Sequence, residues 1–252
     1  MAELLMRSAW IRRFHPGPEA PVQLVCFPHA GGAATYYHRL SQAMSPDADV
    51  LAIQYPGRQD RLSEPCIEDI PTLADRLVDE LVAWSDRPLV LFGHSMGAAV
   101  AFEVALRLEQ AGSVPLGLFV SGRMAPSVYR HQRMHLATDA ELVAELKTLN
   151  AANVQILADE TLLRMVLPTI RSDYRAIERY HNPSAPPLHC PIVALTGDAD
   201  PVADIADVEL WARHTLASFR TRVFSGGHFF LDDHADAVRQ EIRDHIAAVR
   251  AR

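Results

Sequence analysis

Pro88-Leu-Val-Leu-Phe-Gly93-His94-Ser95-Met96-Gly97-Ala-Ala-Val100 is the stretch whose reading decides the fold. An apolar run suited to a buried strand meets Gly-x-Ser-x-Gly, and a helical pattern continues to Gln110, where Gly112 ends it. Strand, sharp turn and helix in that order are the setting of a nucleophile elbow. The glycines matter because side chains at the flanking positions would collide with the neighbouring strand and helix. The turn then lifts the Ser95 hydroxyl to the C-terminal edge of the sheet. Glycine and serine also crowd ordinary turns, so it is the flanking strand and helix that carry the reading.

Working outward, the runs Gln23 to Phe27, Val50 to Tyr55 and Leu116 to Val120 have the length and Val/Leu/Ile/Phe content of buried parallel strands, like Pro88 to Phe92 itself. Pro191 to Leu195 and Arg220 to Phe224 add two more. Helical patterns alternate with them: Leu73 to Trp84, Met96 to Gln110 and Val238 to Val249. This predicts an α/β fold, a mostly parallel central sheet flanked by helices. From Met124 to Pro187 the alternation stops. Thr138-Asp-Ala-Glu141 opens a helix in capping-box form, Glu160 to Tyr180 is helical around Pro168, and Asn182-Pro-Ser-Ala-Pro-Pro187 returns the chain as an extended loop. We read one domain over 1–252 with a helical insertion at about 125–187 placed over the strand ends; the plainer alternative makes these helices part of the sheet's covering layer.

Composition narrows the function. Of 252 residues, 49% are hydrophobic and 22% charged, ordinary globular values, and a net charge of -7 with no concentrated basic face argues against nucleic acid as a partner. Lys147, the one lysine, sits in a helical pattern away from any glycine-rich loop. Cys26, Cys66 and Cys190 form no CxxC pair, which fits reduced thiols in a cytoplasmic protein. No window approaches the roughly 20 apolar residues of a membrane span, and Met1 to His15 lacks a secretory apolar stretch. Cytoplasmic localisation and a monomer are the expectation.

A serine nucleophile needs a histidine base and an acid downstream. Gly197-Asp198-Ala-Asp200-Pro201 follows the fifth run, and Gly226-Gly227-His228 follows the sixth. Of twelve histidines, His228 combines a preceding strand, a freeing glycine pair and a place after the aspartates. Spacing does not separate the aspartates; Asp200 lies further out on its loop, while Asp198 is suited to brace the turn. For the oxyanion, the Met96 N–H is one donor, and the glycine-bearing turn Cys26-Phe-Pro-His29-Ala30-Gly31-Gly32 offers the Ala30 N–H as the other. That turn matches neither a Walker motif nor GxGxxG, and His29, His38 and His94 show no metal-ligand spacing, which leaves hydrogen bonding behind the reacting groups as their use. Tyr55-Pro-Gly-Arg58-Gln-Asp60-Arg61 reads either as a solvated loop or as a wall of the pocket.

Taken together, Phe27 to Gly32, Tyr55 to Arg61, Gly93 to Gly97, Gly197 to Pro201 and Gly226 to Leu231 resemble the type II thioesterases, stand-alone α/β-hydrolases that accompany polyketide and nonribosomal peptide synthetases. The resemblance spans almost the whole chain in order. It implies a triad of Ser95, Asp200 and His228, oxyanion donors at Met96 and Ala30, and an insertion acting as a mobile lid over an acyl chamber. It also implies an acyl or peptidyl carrier protein as partner and removal of stalled acyl groups from its phosphopantetheine arm. No metal or organic cofactor is needed for this chemistry. Carrier docking on a chain of net charge -7 calls for a local basic patch, for which Arg123, Arg130 and Arg133 or Arg171, Arg175 and Arg179 are candidates. Three rivals remain at this stage: a small-molecule carboxylesterase, a medium-chain acyl-carrier thioesterase of fatty-acid synthesis, and a non-catalytic carrier-binding protein.

Overall fold

The computed structural model describes residues 8–84, 86–149 and 159–251. Seven strands form one sheet: β1 (Ile11–Arg12), β2 (Gln23–Phe27), β3 (Asp49–Ile53), β4 (Leu89–His94), β5 (Gly117–Ser121), β6 (Ile192–Gly197) and β7 (Phe219–Phe224), in the order β1-β3-β2-β4-β5-β6-β7. Among the described residues only the β1–β3 pair is antiparallel. The α/β fold expected from the sequence is therefore the fold observed. Strands β2 to β6 are buried at every residue because helices cover both faces.

One face is covered by α2 (Ile70–Trp84) and α3 (Met96–Gln110). Ile70, Leu73, Ala74, Leu77 and Leu81 of α2 recur every three or four residues and pack inward on one stripe. The other face is covered by α1 (His38–Met44) and the last helix, Ala235–Arg250. The chain runs from β2 out to β3, then crosses back over β2 to β4. At that reversal the loops following β2 and β4 diverge and leave a crevice at the strand ends, the usual ligand position in such sheets.

Between β5 and β6 lie a short turn of 3-10 helix (Met134–Leu136), α4 (Asp139–Thr148) and α5 (Glu160–Arg179). The capping box forms as read: Thr138 N–H donates to the Glu141 carboxylate at 2.8 Å and Glu141 N–H to Thr138 Oγ1 at 3.3 Å. Asp159 caps α5 by accepting from the Thr161 and Leu162 N–H groups, and Pro168 lies within the helix. Leu142, Leu146, Leu167 and Ile170 make a small core of their own, whereas Ala176, Ile177 and Tyr180 join the core under the sheet. Part of the notional extra layer is thus continuous with the covering layer. After β6 come α6 (Ile205–Glu209), α7 (Phe230–Asp233) and α8 (Ala235–Arg250).

One strand reading needs correction. The run ending at Phe224 is an edge strand with three exposed residues, because among the described residues no further strand pairs with its outer edge. The two-residue β1 has no apolar run to announce it. Among the described residues no helix is long and apolar enough to cross a membrane.

Candidate active site

Ser95 occupies φ 54°, ψ −117°, a region that L residues avoid and that costs on the order of 1–3 kcal/mol unless the surroundings enforce it. The enforcement is visible. Ser95 N–H donates to the Ser121 carbonyl at 2.8 Å, tying the turn to β5. A Cβ on Gly93 would lie 2.2 Å from the Gly97 carbonyl oxygen, and one on Gly97 would lie 2.0 Å from that of Phe27. The start of α3 is thus pressed onto β4 and β2, and only glycine fits at either position. Ser95 opens into a cavity of about 50 Å³ whose wall also includes Ala30, Val202 and His228, with Met134, Leu149, Tyr174 and Ile177 entering from the insertion.

The two aspartates after β6 divide their work. Asp200 accepts from His228 Nδ1 at 2.9 and 3.0 Å, and its Oδ1 is fixed by the Val202 N–H at 2.8 Å. Asp198 instead accepts from the Gly226 N–H at 2.9 Å and so braces the loop that carries His228. With Nδ1 facing a carboxylate, the neutral ring holds its proton there, and Nε2 is left as the basic nitrogen. His228 is 2% exposed and the Asp200 carboxylate fully buried, which strengthens their interaction.

Behind this pair stand His94 and His29. His94 Nδ1 lies 3.0 Å from Ser121 Oγ, as hydrogen bonding behind the reacting groups would have it, and its ring centroid is 5.0 Å from that of His228. Burial, then the charge of His228, holds the His94 pKa well below the usual value; burial also pushes His29 down to about 3, with His228 and Arg58 adding to the effect. Both rings are neutral at physiological pH. His29 uses its edges instead, packing on Tyr36 and Phe229 at 4.8 and 4.9 Å. His38 lies apart, against Phe14 and His15. Among the described residues no group of three or more His, Cys, Asp or Glu is arranged to hold a metal ion.

In the loop after β2 the Gly31 N–H is taken by Asp173 at 2.7 Å and the Gly32 N–H by the His29 carbonyl at 2.9 Å, while Ala30 lines the cavity. Met96 is the first residue of α3, where a helix leaves its N–H groups without intrahelical acceptors. The turn after β3 is no solvated loop: Arg58 and Arg61 are both buried. Arg58 holds Asp173 in a two-pronged ion pair at 2.8 Å and 2.8 Å, and its guanidinium lies 5.0 Å from the Tyr55 ring. Neither partner's role was legible in the sequence, because a charge on a helix reads as a solvated face and the pair is separated by 115 positions.

The family model described as thioesterase domain matches residues 22–246. The chain belongs to the thioesterase family. It is 50% identical over 97% of its length to a probable cadicidin biosynthesis thioesterase of Streptomyces griseus, covering 68% of that protein. Thioesterase PikA5 of Streptomyces venezuelae is 48% identical over 96% of the chain and 86% of the relative. Among solved structures, the type II thioesterase BorB from the borrelidin biosynthetic cluster superposes with a TM-score of 0.90 at 49% identity, over 96% of this chain and 99% of that one. All three are thioesterases by name, BorB a type II thioesterase of a biosynthetic cluster, and thioester hydrolysis is the family's chemistry.

In this thioesterase half of the six arginines read as docking candidates are already engaged in ion pairs. Arg130 pairs with Asp207, Arg175 with Glu68, and Arg171 with Asp139 and two carbonyls. Arg123 is not on an outer face: it lines the Ser95 cavity, where burial lowers its pKa to about 10. Arg133 and Arg179 stay exposed.

Proposed function

We propose that this thioesterase hydrolyses acyl groups held as thioesters on the phosphopantetheine arm of an acyl or peptidyl carrier protein, acting as a cytoplasmic monomer that clears stalled acyl groups. Ser95, His228 and Asp200 are the triad. His228 Nε2 takes the Ser95 proton as Oγ attacks the thioester carbonyl, and the tetrahedral oxyanion accepts from the Met96 and Ala30 N–H groups, each such donor being worth about 3 kcal/mol. Collapse expels the pantetheine thiolate, which His228 protonates. Because alkyl thiols have pKa values of about 8.5, this leaving group asks less of the general acid than an alkoxide would. Water, activated by His228, then releases the acid from acyl-Ser95. Asp200 holds the imidazole tautomer and stabilises the imidazolium without taking the proton. The insertion acts as the lid that walls the acyl chamber.

One observation carries this reading: a strained serine at a strand end shares one cavity with a histidine that a buried aspartate holds by Nδ1. The test is release of acetyl or propionyl from a loaded carrier protein by the wild type and Ser95→Ala, beside the same acyl group on a p-nitrophenyl ester. The wild type should release acyl groups from the carrier faster than it hydrolyses the oxoester. Ser95→Ala should lose at least about 10⁴-fold in turnover while still binding the carrier. Turnover confined to the free ester would refute the carrier substrate and point to the carboxylesterase alternative.

A further inference from the structure

Asp173 lies on α5 of the insertion, far in sequence from the serine, yet its carboxylate is 1% exposed and grips the loop that carries Ala30. Its Oδ2 accepts from the Gly31 N–H at 2.7 Å, while Arg58 closes on both of its oxygens and also donates to the Gly32 carbonyl at 3.1 Å. Gly31 has φ +74°, and a Cβ there would meet Ile170 Cγ1 at 2.7 Å, so α5 presses directly on the loop.

These contacts fix a chain of peptide planes. The Gly31–Gly32 peptide is flanked by a clamped N–H on one side and a clamped carbonyl on the other. Its own N–H, that of Gly32, donates to the His29 carbonyl at 2.9 Å. That carbonyl belongs to the same planar unit as the Ala30 N–H, and in a trans peptide the two point in opposite directions. Holding the His29 oxygen therefore aims the Ala30 N–H.

We infer that Asp173 and Arg58 are positioning residues that orient the Ala30 N–H for the oxyanion, so that the insertion helix α5 is part of the catalytic scaffold as well as a wall of the chamber. The inference rests on the oxyanion role proposed above for Ala30. The pairing has an electrostatic reason too. A bare carboxylate next to a developing oxyanion would oppose it, and Arg58 neutralises Asp173 while leaving its oxygen free to accept from Gly31.

Removing one partner alone would strand a buried charge and confuse folding with catalysis. The informative variant is Arg58→Met/Asp173→Leu, which removes both charges and keeps the volume roughly filled; Arg58→Lys keeps the charge and loses the fork. The double variant is expected to retain a cooperative thermal transition and to lose about 10- to 100-fold in kcat on thioester and oxoester alike, with KM changed less than about twofold. Arg58→Lys should fall between it and the wild type. Affinity for an alkyl boronic acid, which adds to Ser95 as a tetrahedral anion, should weaken by the same factor as kcat, while affinity for an unreactive thioether analogue of the substrate stays unchanged. A folded double variant with wild-type kcat, or equal weakening of both analogues, overturns the positioning role. A wild type active only on the oxoester retracts the carrier substrate and leaves this inference standing, since the oxyanion forms in either reaction. A wild type inactive on both esters removes both.

Discussion

The strand-end shelf and the helical insertion meet across one cavity but are held by different kinds of contact. On the shelf, the serine turn is locked by backbone against backbone: a Ser95 N–H on the Ser121 carbonyl, and glycines with no space for a Cβ. The insertion has a small apolar core of its own and is joined to the shelf by side chains, through Asp173 and Arg58 and through Thr169 Oγ1 on the Gly57 carbonyl at 2.5 Å. Main-chain contacts survive most changes of sequence, whereas side-chain contacts are lost by single substitutions. The serine turn is therefore set by contacts that sequence drift alters least, and the insertion's grip on the shelf by contacts it alters most.

The sharpest way to break that division is at the two aspartates of the shelf. Asp200→Asn keeps the shape but favours the wrong His228 tautomer, and kcat should fall about 10⁴-fold. Asp198→Asn still offers an oxygen to the Gly226 N–H, so its kcat should stay within a few-fold of wild type. Steady-state hydrolysis of one acyl thioester by both variants decides the matter. Comparable losses would mean that the His228 loop is held less by its backbone than the geometry implies.

Acid should weaken the shelf through its two buried histidines. His29 is held neutral down to about pH 3, whereas its unfolded counterpart protonates near 6.5, and His94 is depressed in the same direction. Below pH 6.5 the unfolded chain thus binds protons that the folded chain refuses, so this stability is present above 6.5 and is lost as pH falls. Each such histidine contributes a slope approaching about 1.4 kcal/mol per pH unit. Urea unfolding between pH 7 and 5, above the carboxylate range, should show the loss. His29→Phe, which keeps the edge contacts with Tyr36 and Phe229, should flatten the slope by one proton's worth; an unchanged slope would place the proton uptake elsewhere.

The same division explains what could be read from sequence. Strand β2 and helix α3 were legible to the residue, and the elbow between β4 and α3 was clear, because those elements are buried on all sides and write continuous apolar runs. The capping box of α4 was legible because it is local, its two ends three positions apart. Arg58 and Asp173 were not, since a pairing across 115 positions leaves no periodic trace and buried charges look like solvated ones. Asp198 and Asp200 lay between these cases: both stood on the right loop, but only the direction each carboxylate takes from the backbone tells the brace from the partner of His228.

The smallest effect should come from the insertion's own wall. Ile177 lines the Ser95 cavity and is 8% exposed, packed with the core under the sheet, so Ile177→Val removes one methylene without disturbing a polar contact. Such a change costs about 0.5–1.5 kcal/mol in stability, which leaves the protein folded. The vacated space fits one more carbon of acyl chain, and a buried methylene is worth about 0.8 kcal/mol, or about fourfold. The ratio of kcat/KM for an acyl group one carbon longer over the parent should therefore rise about fourfold, while the rate on an acetyl thioester, too short to reach the wall, stays level. A parallel loss on acetyl would show that Ile177 supports the shelf instead. No change in the ratio would show that the acyl chain does not run along Ile177, and that another part of the cavity lining sets chain length.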